Sequence, residues 1–181
     1  MLIFQSHSKN IIQYDMISQF AYKNNYITPE LDKIVLNFGI KEVNFKLLLL
    51  VMATLEMIST QKPMITKSKK SNIFFKIRKG APIGCKVCLQ KKTMQHFIST
   101  ILLKTLSNIK LFEGIKIKKD IPQNKSFSFS IYDLLIFPEL ELHYDIFQKI
   151  PKLDISIISS KTNLKEFNNL LANARFILKI A

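Results

Sequence analysis

The stretch MITKSKKSNIFFKIRKGAPIGCKVCLQ, residues 64–90, decides how this chain is read. Its two ends have strand character. Met64 to Thr66 is a short run behind Pro63, and Ile83, Cys85, Val87 and Leu89 alternate with Gly84, Lys86, Cys88 and Gln90. A period of two sends one set to each face of a strand. Between these ends, residues 67–80 are basic and run into the punctuation of Gly80, Pro82 and Gly84, which marks a loop. The stretch therefore reads as a short strand feeding a basic segment, residues 67–80, that is punctuated before a second, alternating strand.

The charge of that loop extends on both sides. Between Glu56 and Glu113 lie twelve of the 27 basic residues and none of the 13 acids, so this one third of the chain carries nearly all of the net +14. A single-sign field on a chain that is 48% hydrophobic implies a folded surface that meets a polyanion, nucleic acid above all. The same window has no carboxylate for general acid-base work. The chain shows no Gly-rich phosphate loop or nucleophile elbow.

At 181 residues the chain is long enough to bury about 70% of the surface its unfolded form exposes, and it reads as a single domain over residues 1–181. Residues 1–22 read as an N-terminal helical segment. Two cysteines argue against a disulfide framework. Their Cys85-x-x-Cys88 spacing is odd, so a strand sends the thiols to opposite faces, which argues against a metal or redox pair. His7, His96 and His143 have no carboxylate or cysteine at ligand spacing; neither a metal nor a cofactor is expected. The longest apolar run, residues 47–53, falls far short of the roughly 20 needed to cross a bilayer. Residues 1–10 hold one lysine, no arginine and no apolar run of signal length, so neither a secretory signal nor a transit peptide is expected.

Outside the opening stretch, Ile11, Ile12, Met16, Ile17, Phe20 and Ala21 recur at helical spacing. After a turn near Thr28-Pro29, Ile34, Leu36 and Phe38 alternate with Lys33, Val35 and Asn37, and Gly39 ends the strand. Residues 45–58 read as a helix apolar nearly all round, which places it in the core. Thr93 is the expected N-cap of a third helix, with Met94, Phe97, Ile98, Ile101, Leu102, Thr105, Leu106 and Ile109 as its stripe. Phe127, Phe129 and Ile131 alternate with serines, and Leu153, Ile155 and Ile157 follow the same rule. Asn163 with Glu166 caps a last helix. The fold class is α+β: a two-layer domain with an approximately five-stranded, mostly antiparallel sheet, helices on one face and a long basic loop. The free face, with Lys33, Asn37, Lys86, Cys88 and Gln90, is a platform for RNA.

Several ordered blocks carry a specific resemblance: Lys33 to Gly39, Thr60-Gln61-Lys62-Pro63, Thr66 to Ser71, Phe75 to Gly80, Pro82 to Val87, Leu135 to Glu139, and Asp154 to Ile157 before Lys161-Thr162. Over residues 22–171 the chain resembles the L-five family of large-subunit ribosomal proteins, the 5S rRNA-binding proteins. The resemblance implies a non-catalytic protein of the central protuberance that binds 5S rRNA, where it is retained, and large-subunit rRNA. It further implies neighbouring central-protuberance proteins and an intersubunit bridge to a small-subunit head protein. Asn37 and Gln61 match positions that hydrogen-bond 5S rRNA; Lys62, Lys86, Cys88 and Gln90 complete the implied rRNA side. Lys67, Lys69, Lys70, Lys76, Arg78 and Lys79 lie on the loop implied to reach peptidyl-site tRNA. Glu139, Glu141 and His143 fall in the bridge region.

The sequence also departs from the family pattern. Cys88 stands where threonine is usual, Thr60 and Phe74 where glycines are usual, and Lys79 where an acid is usual. The loop thereby gains charge and the pair Phe74-Phe75, which can stack on bases or on its own support. Ile 27 and Lys 25 against Arg 2 and Gly 4 reflect A/T-rich codons, which, with the absent leader, points to a mitochondrial ribosome and an organelle-encoded chain; an A/T-rich bacterium or a plastid is the alternative source. A competing functional reading, an RNA-processing or ribosome-maturation enzyme, would draw its centre from Asp133, Glu139, Glu141, His143 and Asp145. Those residues read first as an exposed connecting loop. A membrane-adhering protein is disfavoured by the lack of a basic amphipathic helix.

Overall fold

β-branched and aromatic residues alternating with polar ones build the strands that hold this fold together. In the computed structural model the described residues are 11–20, 22, 24, 28–40, 44–109, 114–117, 126–160, 164–174, 176 and 178–180. The strands β1 (Leu31–Gly39), β2 (Met64–Lys67), β3 (Pro82–Gln90), β5 (Ser126–Ile131) and β6 (Leu153–Ser159) form one five-stranded sheet in the order β2-β3-β1-β6-β5. β2 pairs antiparallel with β3, Met64 opposite Lys86 and Ile65 opposite Cys85. The antiparallel, open α+β sheet is the architecture read from the sequence.

The period of two is visible in burial. Ile34, Leu36 and Phe38 of β1, Cys85, Val87 and Leu89 of β3, and Leu153, Ile155 and Ile157 of β6 are all buried. Each large apolar side chain removed from water in this way contributes roughly 1.5–3 kcal/mol. The alternate positions Asn37, Asp154 and Ser156 are half-exposed, and Lys86, Cys88 and Ser128 are exposed.

The chain forms two compact units. The first comprises Met1–Lys33, Gln90–Phe127 and Ile157–Ala181; the second comprises Ile34–Leu89 and Ser128–Ser156. In the first unit α1 (Ile12–Phe20) packs on α7 (Leu164–Asn173), with Asn169 Nδ2 donating to Gln19 Oε1 at 3.1 Å. A small parallel pair, β4 (Ile115–Ile117) and β7 (Leu178–Ile180), was not anticipated. Three-residue strands are too short to leave a periodic signal. The expected Asn163 cap lies outside the described residues.

The third helix differs from its sequence reading at both ends. It begins at Lys91 rather than behind Thr93: α3 (Lys91–Thr100) follows β3 directly through a left-handed Lys91, φ 49°. Gln90 occupies the N-cap position without a side-chain cap bond. Thr93 sits inside the first turn, where its hydroxyl donates to the Gln90 carbonyl at 2.8 Å. The helix then widens into a π-turn, Ile101–Thr105, before α4 (Leu106–Asn108). The extra residue per turn keeps Ile101, Thr105 and Leu106 inward while Leu102 and Ile109 become half-exposed.

In the second unit α2 (Phe45–Ser59) is capped by Asn44, whose side chain accepts from the Lys46 amide at 3.0 Å. Leu48, Val51, Leu55 and Ile58 line its buried side. Residues 133–147, expected as a connecting loop, are largely helical: a 3₁₀ turn (Leu134–Ile136), α5 (Pro138–Glu141) and α6 (Tyr144–Phe147). Asp133 accepts from the Leu135 amide at 3.0 Å, and Pro138 opens α5. These one-turn helices are set by caps and by buried Leu134, Phe137, Leu140 and Phe147, with too few residues for a helical stripe to show. α5 and α6 pack on α2. No described helix is long and apolar enough to cross a membrane.

Candidate nucleic-acid interface

The outward side chains of β3 and β1 supply the open sheet face of the second unit. Asn37, Lys86 and Cys88 come from adjacent strands and point away from the core, and the edge strand β2 adds Met64 opposite Lys86 and Thr66 opposite Gly84. No acid lies among them. At Gly84 the β1 backbone leaves no room for a side chain, since a Cβ there would sit 2.1 Å from the Phe38 carbonyl oxygen. The odd Cys85–Cys88 spacing has the effect read from it: Cys85 is buried and Cys88 exposed, both free thiols. Burial raises the Cys85 pKa above its ordinary value.

Gln61 and Lys62 lie in the turn between the end of α2 and the edge strand β2. Thr60 takes a left-handed backbone, φ 56°, and its amide closes the helix on the Glu56 carbonyl at 2.9 Å. Ser59 then pins the turn, donating to the carbonyls of Leu55 at 2.5 Å and Gln61 at 3.2 Å and accepting from the Gln61 amide at 3.3 Å. Gln61 is half-buried in this turn, and Lys62 is exposed. Gln90 is exposed at the last position of β3, where the first unit resumes.

The β5–β6 half of the face was not singled out in the sequence. Ser128 and Ser156 share a hydrogen bond of 2.8 Å, and Ser130 donates to Asp154 at 2.5 Å. Lys152 pairs with Asp154 at 3.4 Å and lies 5.7 Å from the Tyr132 ring centroid. The Phe-Ser alternation of residues 126–131 was the available signal. Its hydroxyls satisfy one another across strands, whereas the β1–β3 half presents an amide, an ammonium and a thiol. Among the described residues the face is therefore polarised, with Asp154 on its β5–β6 side and Lys86 on its β1–β3 side.

Residues 67–80 are more ordered than a loop. Ser68 and Ala81 pair at the base, with Ser68 N–H donating to the Ala81 carbonyl at 2.9 Å and Gly80 N–H to the Ser68 carbonyl at 2.9 Å. Near the far end Asn72 and Ile77 exchange both backbone bonds, at 2.8 and 2.9 Å. The four residues between them close a turn through Lys76 N–H to the Ile73 carbonyl, 3.0 Å, with Lys76 at φ 51° and the Asn72 side chain accepting from the Phe74 amide at 3.0 Å. This is a ribbon with a four-residue tip. Lys67, Lys69, Lys70, Lys76, Arg78 and Lys79 all lie along it; Arg78 and the lysines other than Lys76 flank the tip, and Lys76 closes it.

Glu139, Glu141 and His143 are on α5 and the turn after it, elements that pack on α2. Glu139 is half-buried, Glu141 and His143 are exposed, and the His143 ring meets Phe147 edge-on at 6.4 Å. Asp133 is committed to its helix cap, and no three His, Cys, Asp or Glu side chains among the described residues converge as metal ligands would.

Comparison with known proteins finds similarity along nearly the whole length. Residues 24–78 match the family model for ribosomal protein L5, and residues 82–178 match the companion model for the C-terminus of the same ribosomal family. The chain is 38% identical over 170 residues to the large ribosomal subunit protein uL5m of Reclinomonas americana, covering 93% of each. It is 36% identical over 177 residues to uL5 of Blochmanniella floridana, covering 97% of this chain and 92% of that one, and 37% identical over 175 residues to uL5 of Nitrosomonas eutropha, covering 96% of each. The enzyme reading falls with these matches. Two adjoining family models and near full-length relatives together span most of the sequence, and the chain belongs to the ribosomal protein L5 family, non-enzymatic structural proteins of the large ribosomal subunit.

Proposed function

We propose that this chain is a structural constituent of a mitochondrial large ribosomal subunit. It binds rRNA of the central protuberance, 5S rRNA where that is retained, through the β1–β3 half of the open sheet. The observation that carries this reading is the acid-free stretch 57–112, which runs from the turn of Gln61 and Lys62 through β2, the basic ribbon and the Lys86 side of β3, the strand beside the Asn37 side of β1. An amide that both donates and accepts suits base and sugar contacts, and the lysines supply phosphate contacts. The ribbon reaches toward peptidyl-site tRNA. The surface of Glu139, Glu141 and His143 meets a basic protein of the small-subunit head, charge opposing charge. The mitochondrial setting is supported by the A/T-skewed residue usage and by the uL5m relative.

The test is binding to in vitro transcribed 5S and central-protuberance rRNA across a salt series. With about six side chains on phosphates, log K should fall against log salt with a slope of about −4 to −5. A flat salt response refutes the reading. Sequencing the small RNAs that co-purify with the tagged chain identifies the rRNA, and mapping the gene to an organellar genome fixes the compartment.

A further inference from the structure

The ribbon's tip is apolar. Ile73 is 92% exposed, Phe74 96% and Phe75 58%, so the described part of the chain leaves these side chains largely uncovered. The tip is also held in shape. The Asn72–Ile77 bridge, the Ile73-to-Lys76 turn bond and the Asn72 side-chain bond to the Phe74 amide place Phe74 and Phe75 at the two central positions of the turn. A large apolar group displayed this way costs solubility unless a partner covers it.

Charge selects that partner. The ribbon carries six cations, and no acid occurs between Glu56 and Glu113. Cations bring in a phosphate backbone, but phosphates and the grooves of a paired helix offer no flat apolar surface to a phenyl ring. Unstacked bases do, because every base has a π-face and loses water when covered. We infer that the Ile73–Phe75 tip is a base-stacking wedge, with Phe74 laid against an unpaired or terminally exposed base of a structured RNA while the ribbon lysines hold the flanking phosphates. This deepens, and rests on, the RNA-binding reading above.

The two contributions separate experimentally, since stacking removes no counterions. The full chain is titrated into an RNA hairpin bearing 2-aminopurine in its loop, and into a fully paired duplex of the same stem. The wild type should quench 2-aminopurine. Phe74→Ala should weaken loop binding roughly tenfold, the loss of about one stack, with an unchanged salt slope and unchanged duplex affinity; Phe74→Tyr should restore it. A Lys69→Ala/Lys79→Ala double variant should instead flatten the slope for both RNAs. The side chain at 74 is almost fully exposed, and unchanged circular dichroism verifies that each variant is intact.

Equal binding and quenching by Phe74→Ala and wild type, with a steep slope for both, overturns the wedge and leaves the RNA-binding reading standing. If wild type binds neither RNA, both fall. If Phe74→Ala abolishes flotation with phosphatidylglycerol vesicles, or dissociates a dimer seen by sedimentation, while RNA binding is untouched, the tip serves a membrane or a second copy and the wedge is rejected.

Discussion

A left-handed backbone at a β-branched residue is costly, and Thr60 has one, φ 56°, at the C-cap of α2. Glycine fits that position without a Cβ clash, which gives the usual family glycine there a physical cause. Thr60→Gly should stabilise the protein by about 0.5–1 kcal/mol in urea titrations, the relief of strain exceeding the added chain entropy. At Phe74, the other departure, φ is not left-handed, and no such gain is expected. Gly84 is the reverse case. Alanine there meets the Phe38 carbonyl, backbone that cannot rotate aside, and should cost about 2–3 kcal/mol by the same assay. The cysteines offer a cheap check of strand parity. Iodoacetamide at neutral pH should modify Cys88 and spare Cys85, whose thiol is buried with a raised pKa; mass spectrometry reads one adduct on the native chain and two after urea. Parity was legible in sequence because it is a local count. The strain at Thr60 was not, since handedness is set by how the helix ends.

Among the elements, the ribbon is separable from the sheet. β2 and β3 are registered from Met64–Lys86 to Lys67–Pro82, and Ser68 and Ala81 close the pair. Replacing residues 69–79 by a short Asn-Gly turn should therefore leave the melting temperature within a few degrees while weakening RNA binding and removing most of its salt dependence. A large drop in melting temperature would mean the ribbon is part of the core. The long strands and α2 were legible in the sequence because each runs through several periods of its hydrophobic pattern. The ribbon read as a loop because its backbone bonds are formed by residues with no alternating pattern, Ser68, Asn72, Ile77 and Gly80. The π-turn at Ile101–Thr105 escaped notice for a related reason: a five-residue change of pitch shifts the stripe by one position without breaking it.

For the whole molecule, alkaline stability has an identifiable contribution. Tyr22 has its pKa pushed up to about 12, by burial first and by the negative charge of Glu166 second. The unfolded phenol ionises near 10, so between about pH 10 and 12 the unfolded chain sheds this proton and the folded one keeps it. The stabilisation is complete below pH 10 and lost as pH rises through 12. Wild type should lose more stability than Tyr22→Phe between pH 9 and pH 11.5 in denaturant titrations at each pH; parallel losses would reject the assignment. The basic character of the surface was legible from composition. The polarisation of the sheet face was not, because Asp154 and Ser130 are 24 positions apart in sequence and meet only across the β5–β6 pair.

The interleaving of the two units bears on the chain's own synthesis. The second unit draws only on Ile34–Leu89 and Ser128–Ser156, whereas the first needs Ile157–Ala181. During translation from the N-terminus, the portion carrying the basic ribbon has all its residues outside the tunnel before the first unit does. The half that carries the basic ribbon thus becomes foldable first, and its charge is exposed to any nearby polyanion while the rest of the chain is still being made.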